Sequence, residues 1–66
     1  MTKTEEVCLR TAASCLLTAR NNLSSVAHHS EDGDLSAFLE NAAACVGELG
    51  VAVADCLKVA LAKENG

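Results

Sequence analysis

Apolar residues recur along most of the chain at alternating steps of three and four residues, the spacing of one face of an α-helix. In the first half, the positions opposite this apolar stripe carry hydroxyl and amide side chains, which are mediocre helix formers. We therefore predict an amphipathic helix over about residues 3–28 that depends on packing for its stability. Its stripe consists of Leu9, Ala12, Leu16, Ala19, Leu23 and Val26, widened by Ala13 and Ala27.

Both ends of this helix carry boundary signals. Thr2 followed by Glu5 fits a capping box, in which each residue bonds the backbone of the other. At the other end, a polar segment interrupts the apolar pattern and predicts a turn at about residues 29–33. Ser30 or Asp34 is suited to cap the next helix. A connection this short makes the two helices antiparallel neighbours.

The second predicted helix covers about residues 34–63 and is apolar on nearly all sides. Only a narrow strip through Asn41, Glu48 and Asp55 is polar. A helix of this kind is typically buried. One stripe consists of Leu35, Phe38, Ala42, Cys45, Leu49, Ala52, Cys56 and Val59, broadened by Leu39, Val46, Val53 and Ala60. A second stripe consists of Ala43, Gly47, Gly50, Ala54, Leu57 and Leu61.

A two-helix hairpin has a single inner seam, so one of these stripes lacks a cover within the chain. The predicted fold is therefore all-α: one domain over residues 1–66, an antiparallel hairpin that dimerises into a four-helix bundle. The predicted hairpin core is Leu9, Leu16, Leu23, Val26, Leu35, Phe38, Leu49, Val53 and Cys56. The predicted dimer or partner interface is Leu17, Ala43, Gly47, Gly50, Ala54, Leu57 and Leu61.

The two glycines of the second helix allow two interpretations. Gly47 and Gly50 could let two backbones approach closely at the centre of the dimer, or they could simply weaken or bend the helix, since glycine costs about 1 kcal/mol in a helix interior.

Composition narrows the classes of partner. Half of the 66 residues are hydrophobic, and Phe38 is the one aromatic residue. A core of this size is marginal without a staple or a partner. The net charge is −4, and no lysine or arginine lies between Asn21 and Leu57. Nucleic-acid binding, which needs clustered cations, is not expected. The longest apolar run is too short for a membrane span, so we expect no membrane partner and a cytoplasmic location.

Four cysteines suggest thiol chemistry. In an antiparallel hairpin, Cys8 lies roughly opposite Cys56, and Cys15 roughly opposite Cys45, but the unequal spacing allows only one of these disulfides. Free, buried thiols are the simpler interpretation. Ligand spacings for a metal are missing, because residues seven or eleven apart on a helix do not converge on one ion. We expect no metal, cofactor or catalytic residue, and no enzyme.

Two hypotheses for function follow from these patterns. The first is a non-enzymatic interaction module, a homodimer that acts as a regulator, inhibitor or adaptor of another protein through its acidic surface. The second is a thiol-based redox or metal-storing bundle that uses the four cysteines.

Overall fold

The computed structural model describes residues 1–65, which form two α-helices packed along one another. Helix α1 is Lys3–His29 and helix α2 is Gly33–Asn65. They run antiparallel, so the start of α1 lies beside the end of α2, where the Met1 amino group pairs with the Glu64 carboxylate. The hairpin is elongated, 50 × 16 × 10 Å. The all-α hairpin prediction is confirmed, and all four helix ends lie within two residues of their predicted positions.

The predicted capping box at the start of α1 is confirmed. Thr2 Oγ1 accepts a hydrogen bond from the Glu5 backbone N–H at 3.1 Å, and the Thr2 N–H donates to Glu5 Oε1 at 3.0 Å. The bond from the Thr2 backbone holds the pKa of Glu5 below its ordinary value. The pKa of Glu6 is lowered as well, chiefly by the hydrogen bond from the Lys3 ammonium group. These contacts fix the first turn.

The cap of α2 differs from the prediction. Asp32, and neither Ser30 nor Asp34, accepts the first free N–H groups: its Oδ1 lies 3.0 Å from Asp34 N and 3.2 Å from Leu35 N. Ser30 supports the cap from outside, because its hydroxyl accepts from Asp32 N at 3.2 Å. The prediction was off because α2 begins at Gly33, one residue early, which places Asp32 at the position of the cap.

The seam between the helices combines small residues with leucine and valine side chains. Ala27 and Ala43 are 3% and 4% exposed, and Leu57 is 7% exposed. Ser36 Oγ donates to the Ala27 carbonyl at 2.7 Å, which joins the helices beside the turn. The seam follows one heptad stripe of each helix. It contains Leu9, Ala13, Leu16, Arg20, Leu23 and Ala27 of α1, and Ser36, Leu39, Ala43, Val46, Gly50, Val53, Leu57 and Ala60 of α2.

Five residues predicted for the hairpin core lie on the surface of the chain instead. Phe38 is 69% exposed and Leu49 57%, while Val26, Leu35 and Cys56 are exposed too. The stripe of α2 with the larger side chains thus faces outward. The stripe with Ala43 and Gly50 faces α1, because small residues let the two helix backbones come closer and exclude more water.

The two glycines pack within the chain. A Cβ on Gly47 would lie 2.8 Å from Arg20 Cδ, and one on Gly50 would lie 3.4 Å from Leu16 Cβ. The aliphatic stem of Arg20 therefore covers Gly47, and α1 approaches Gly50 closely. The close approach that the glycines were predicted to allow at the centre of a dimer is found instead within the hairpin, between α1 and α2. The glycines do not interrupt α2, which is continuous from Gly33 to Asn65.

We expect Asp32→Ala to lower the free energy of unfolding by about 1 kcal/mol, because it removes the side-chain acceptor for two N–H groups at the start of α2. Thermal unfolding followed by circular dichroism, at fixed protein concentration, measures the change. Asp34→Ala is the matched control, since it removes only a favourable charge near the helix dipole and should cost less. A larger loss for Asp34→Ala would contradict the assignment of the cap.

Candidate interaction surface

Beyond the seam, the flat hairpin presents two broad outer faces. The first face contains a shallow groove of about 320 Å³, which is lined by residues of both helices. We call this side the glycine face. It carries Ser14 and Leu17 of α1, and Gly47, Val51 and Ala54 of α2. Leu17 and Val51 are 48% and 60% exposed.

Residues on the far side of each helix form the second face. Leu49 and Val51 are about 200° apart around α2, at 100° per residue, so they point to opposite sides of the hairpin. We call the side of Leu49 the cysteine face, because all four cysteines share its helical phase. It contains Cys8, Ala12, Cys15, Ala19, Asn22 and Val26 of α1, and Leu35, Phe38, Ala42, Cys45, Leu49, Ala52, Cys56 and Val59 of α2.

The cysteine face is apolar, uncharged and long. Asn22 is its one polar amide, and none of its positions between Cys8 and Val59 carries a formal charge. From Leu35 to Val59 it extends about 36 Å along α2. Phe38, Leu49 and Val59 are each more than half exposed. Contiguous exposed apolar surface on this scale marks an interaction site.

The total accessible area of the chain also indicates that an apolar surface is uncovered. Its accessible area is 4778 Å². A compact monomer of 6.8 kDa would expose roughly 4000 Å². The excess of about a fifth arises because a pair of helices has only one mutual seam, which leaves the remaining apolar stripe open to solvent.

The residues predicted for a dimer or partner interface are divided between two places. Ala43 and Leu57 are buried in the seam with α1, and Gly50 packs there against Leu16. Gly47 is half-buried beneath Arg20, and Leu61 is half-buried near the open end. Leu17 and Ala54 are exposed on the glycine face. Three of the seven residues, Ala43, Gly50 and Leu57, thus belong to the intrachain seam, whereas Leu17, Gly47 and Ala54 line the open glycine face. The cysteine face is a second uncovered apolar surface, which the interface prediction did not include.

Charge is distributed unevenly along the hairpin. The half next to the turn, residues 17–49, holds five carboxylates and only Arg20 as a cation, so it carries the whole net charge of −4. The half with the chain termini is balanced. Glu48 and Asp55 lie on the outer edge of α2, seven residues apart and exposed. An acidic end of this kind favours a basic partner surface.

The four thiols are free and exposed, in contrast to the prediction of buried thiols. Cys8 and Cys15 are at positions of α1 that point away from α2, so neither candidate intrachain disulfide forms. Within residues 1–65, no group of three His, Cys, Asp or Glu side chains is placed to hold a metal ion. Neither of the two described helices has a stretch apolar enough to cross a membrane.

Three features of the described residues bear on function: the uneven charge distribution, the uncovered apolar stripe and the four exposed thiols. Comparison of the chain with protein-family models, with curated proteins and with solved structures found no match.

Proposed function

We propose that this chain is a non-enzymatic interaction module that works as a homodimer, in which two hairpins pack through their cysteine faces to form a four-helix bundle. The observation that carries the proposal is the uncharged apolar stripe of α2, with Phe38, Leu49 and Val59 more than half exposed. A stripe of this length needs an equally long apolar cover, and a second copy of the chain supplies one of the same dimensions.

The available area suits a stable dimer. The hairpin is 50 Å long and 16 Å wide, so one face covers roughly 800 Å². Specific protein–protein interfaces bury about that area on each partner. The surface in excess of that of a compact monomer is of the same size. Burial of one complete face by a second copy would therefore give the chain the compactness that it lacks alone.

The helical phases also fit a bundle. On α2, the stripe that packs on α1 and the stripe on the cysteine face both have heptad spacing, and their centres lie about 100° apart around the helix. In a four-helix bundle each helix contacts two neighbours at roughly a right angle. Helix α2 thus has one stripe for α1 and another for a helix of the partner.

The glycine face is the weaker candidate for self-association. Residues seven apart share a face of a helix, so Arg10 lies in line with Leu17, Glu40 with Gly47, and Lys58 with Val51. Pairing through this face would require these charges to be desolvated or paired, which is costly. On the cysteine face, Asp55 and Lys63 line the same shallow groove as Cys56 and Val59. The positions of the face itself carry no charge, so its burial incurs a smaller penalty.

We expect Leu49→Glu to abolish the dimer, because it places a carboxylate in the middle of the proposed interface. Wild-type protein at micromolar concentration should show about twice the monomer mass of 6.8 kDa by light scattering. Val51→Glu is the matched control: Val51 is equally exposed, at 60% against 57% for Leu49, but lies on the glycine face. This variant should remain dimeric.

A monomeric wild-type protein with full helicity would refute the dimer. A dimer that survives Leu49→Glu but is lost in Val51→Glu would instead assign self-association to the glycine face. Circular dichroism of each variant distinguishes dissociation from unfolding.

Alkylation of the cysteines provides an independent test of which face is buried. We expect iodoacetamide to modify all four thiols readily in the Leu49→Glu monomer and much more slowly in concentrated wild-type protein, because dimerisation would cover the cysteine face. Intact mass spectrometry over time measures the rates. Equal rates in the two proteins, with the wild type dimeric by light scattering, would contradict pairing through this face.

We further propose that the dimer binds a basic surface of another protein through its acidic turn half, and so acts as a regulator, inhibitor or adaptor. Glu40 and Glu48 lie in this half and are exposed, and a dimer built on the cysteine faces would leave their carboxylates accessible. Attraction between such a surface and a cationic one guides partner choice and weakens as salt increases.

A client of this kind should be retained from a native lysate by immobilised wild-type dimer at low salt and released as salt is increased. The double variant Glu40→Gln, Glu48→Gln should retain less of it, since it keeps the size of the side chains and removes their charge. Mass spectrometry of the eluates identifies the retained proteins. Retention of nothing, or of the same proteins by both forms at every salt concentration, would contradict an electrostatic client site.

A further inference from the structure

All four cysteines of the chain lie on one face, although many other exposed positions exist. Cys8 and Cys15 occupy equivalent heptad positions of α1, and Cys45 and Cys56 lie on the corresponding stripe of α2. Each thiol is free and exposed in the single hairpin. The glycine face and the polar edges carry none. The thiols therefore line the surface that the proposed dimer would bury.

We propose that these thiols are sites of reversible modification by low-molecular-weight disulfides, glutathione disulfide being the representative, and that modification of any one of them blocks dimerisation. This proposal rests on the proposed dimer through the cysteine face, and it identifies the reaction that would control formation of that dimer. The monomer exposes the thiols and the dimer covers them, so modification and self-association compete for the same surface.

The chemistry is a thiol–disulfide exchange. The thiolate of a cysteine attacks one sulfur of glutathione disulfide, the sulfur–sulfur bond of the reagent breaks, and a new bond joins the cysteine to one glutathionyl group. The other glutathione leaves as a thiolate and takes up the proton that the cysteine lost. Excess reduced glutathione reverses the reaction by the same path, so no other oxidant or reductant is required.

The adduct is incompatible with the dimer for two physical reasons. A glutathionyl group is far larger than a thiol hydrogen, and a closely packed helical interface has no space for it. It also carries carboxylates and an ammonium group, which would enter an apolar interface without partners. An adduct on Cys45 or Cys15, near the middle of the face, should therefore raise the dimer dissociation constant at least about 100-fold.

The experiment uses the full-length chain, reduced and at a concentration where light scattering reports its mass. Glutathione disulfide should add glutathionyl groups by intact mass and convert the dimer to a monomer. Subsequent reduced glutathione should remove the groups and restore the dimer. Two variants provide controls. A variant with Ala for Cys8, Cys15, Cys45 and Cys56 should take no adduct and keep its mass throughout. The same variant with Val51→Cys should take one adduct on the glycine face and stay dimeric.

The outcomes separate the two proposals. A reduced wild-type protein that is monomeric would overturn the dimer itself. A reduced dimer that stays dimeric with glutathionyl groups attached would overturn thiol control and leave the dimer intact. Formation of disulfide bonds between chains, in place of glutathionylated monomers, would also overturn thiol control. The wild-type measurement depends on no variant, so it remains decisive if an alanine variant folds poorly.

Discussion

Two stripes of apolar side chains on α2 compete for one intrachain seam, and this competition governs the whole molecule. Each stripe has the heptad spacing that favours packing against a neighbouring helix. The hairpin can satisfy only one of them, because α1 contacts a single side of α2. The buried stripe includes Ala43 and Leu57, and the open one includes Phe38 and Leu49. The described residues, 1–65, form no third helix that could cover the remainder.

Small residues at intervals along the seam let the two helices approach closely. Ala27 lies beside Ser36 near the turn, where a hydroxyl bonds the opposite backbone at 2.7 Å. Farther along, Gly50 and Leu16 are in contact. Dispersion contacts accumulate along a seam of this kind, and each is small alone. Phe38, Leu49 and Val59 remain outside, where they can contribute stability only by contact with another chain.

Local signals in the sequence were enough to predict the hairpin and its capping box. Thr2 and Glu5 carry their capping chemistry in four consecutive residues, and the polar segment around the turn interrupts both stripes. Local signals could not predict which stripe of α2 packs against α1. Periodicity shows which residues share a stripe, but it does not show which helix that stripe contacts. Two polar residues also concealed the seam. Ser36 begins the buried stripe of α2, and Arg20 sits in that of α1, where its stem fills the space above Gly47.

The stripe with Cys45 and Cys56 was predicted to face α1 but faces outward, and this changes the role that the cysteines can have. Had the stripe with Cys45 and Cys56 faced α1, the thiols would be inert fillers of a closed core, or at most one intrachain bridge. On the open face, the same small apolar side chains suit a buried interface when reduced and oppose it when they carry an adduct. A thiol, unlike an alanine, can carry such an adduct, and all four thiols lie on the face without charges. Stability of the proposed bundle and its chemical control would thus depend on the same surface.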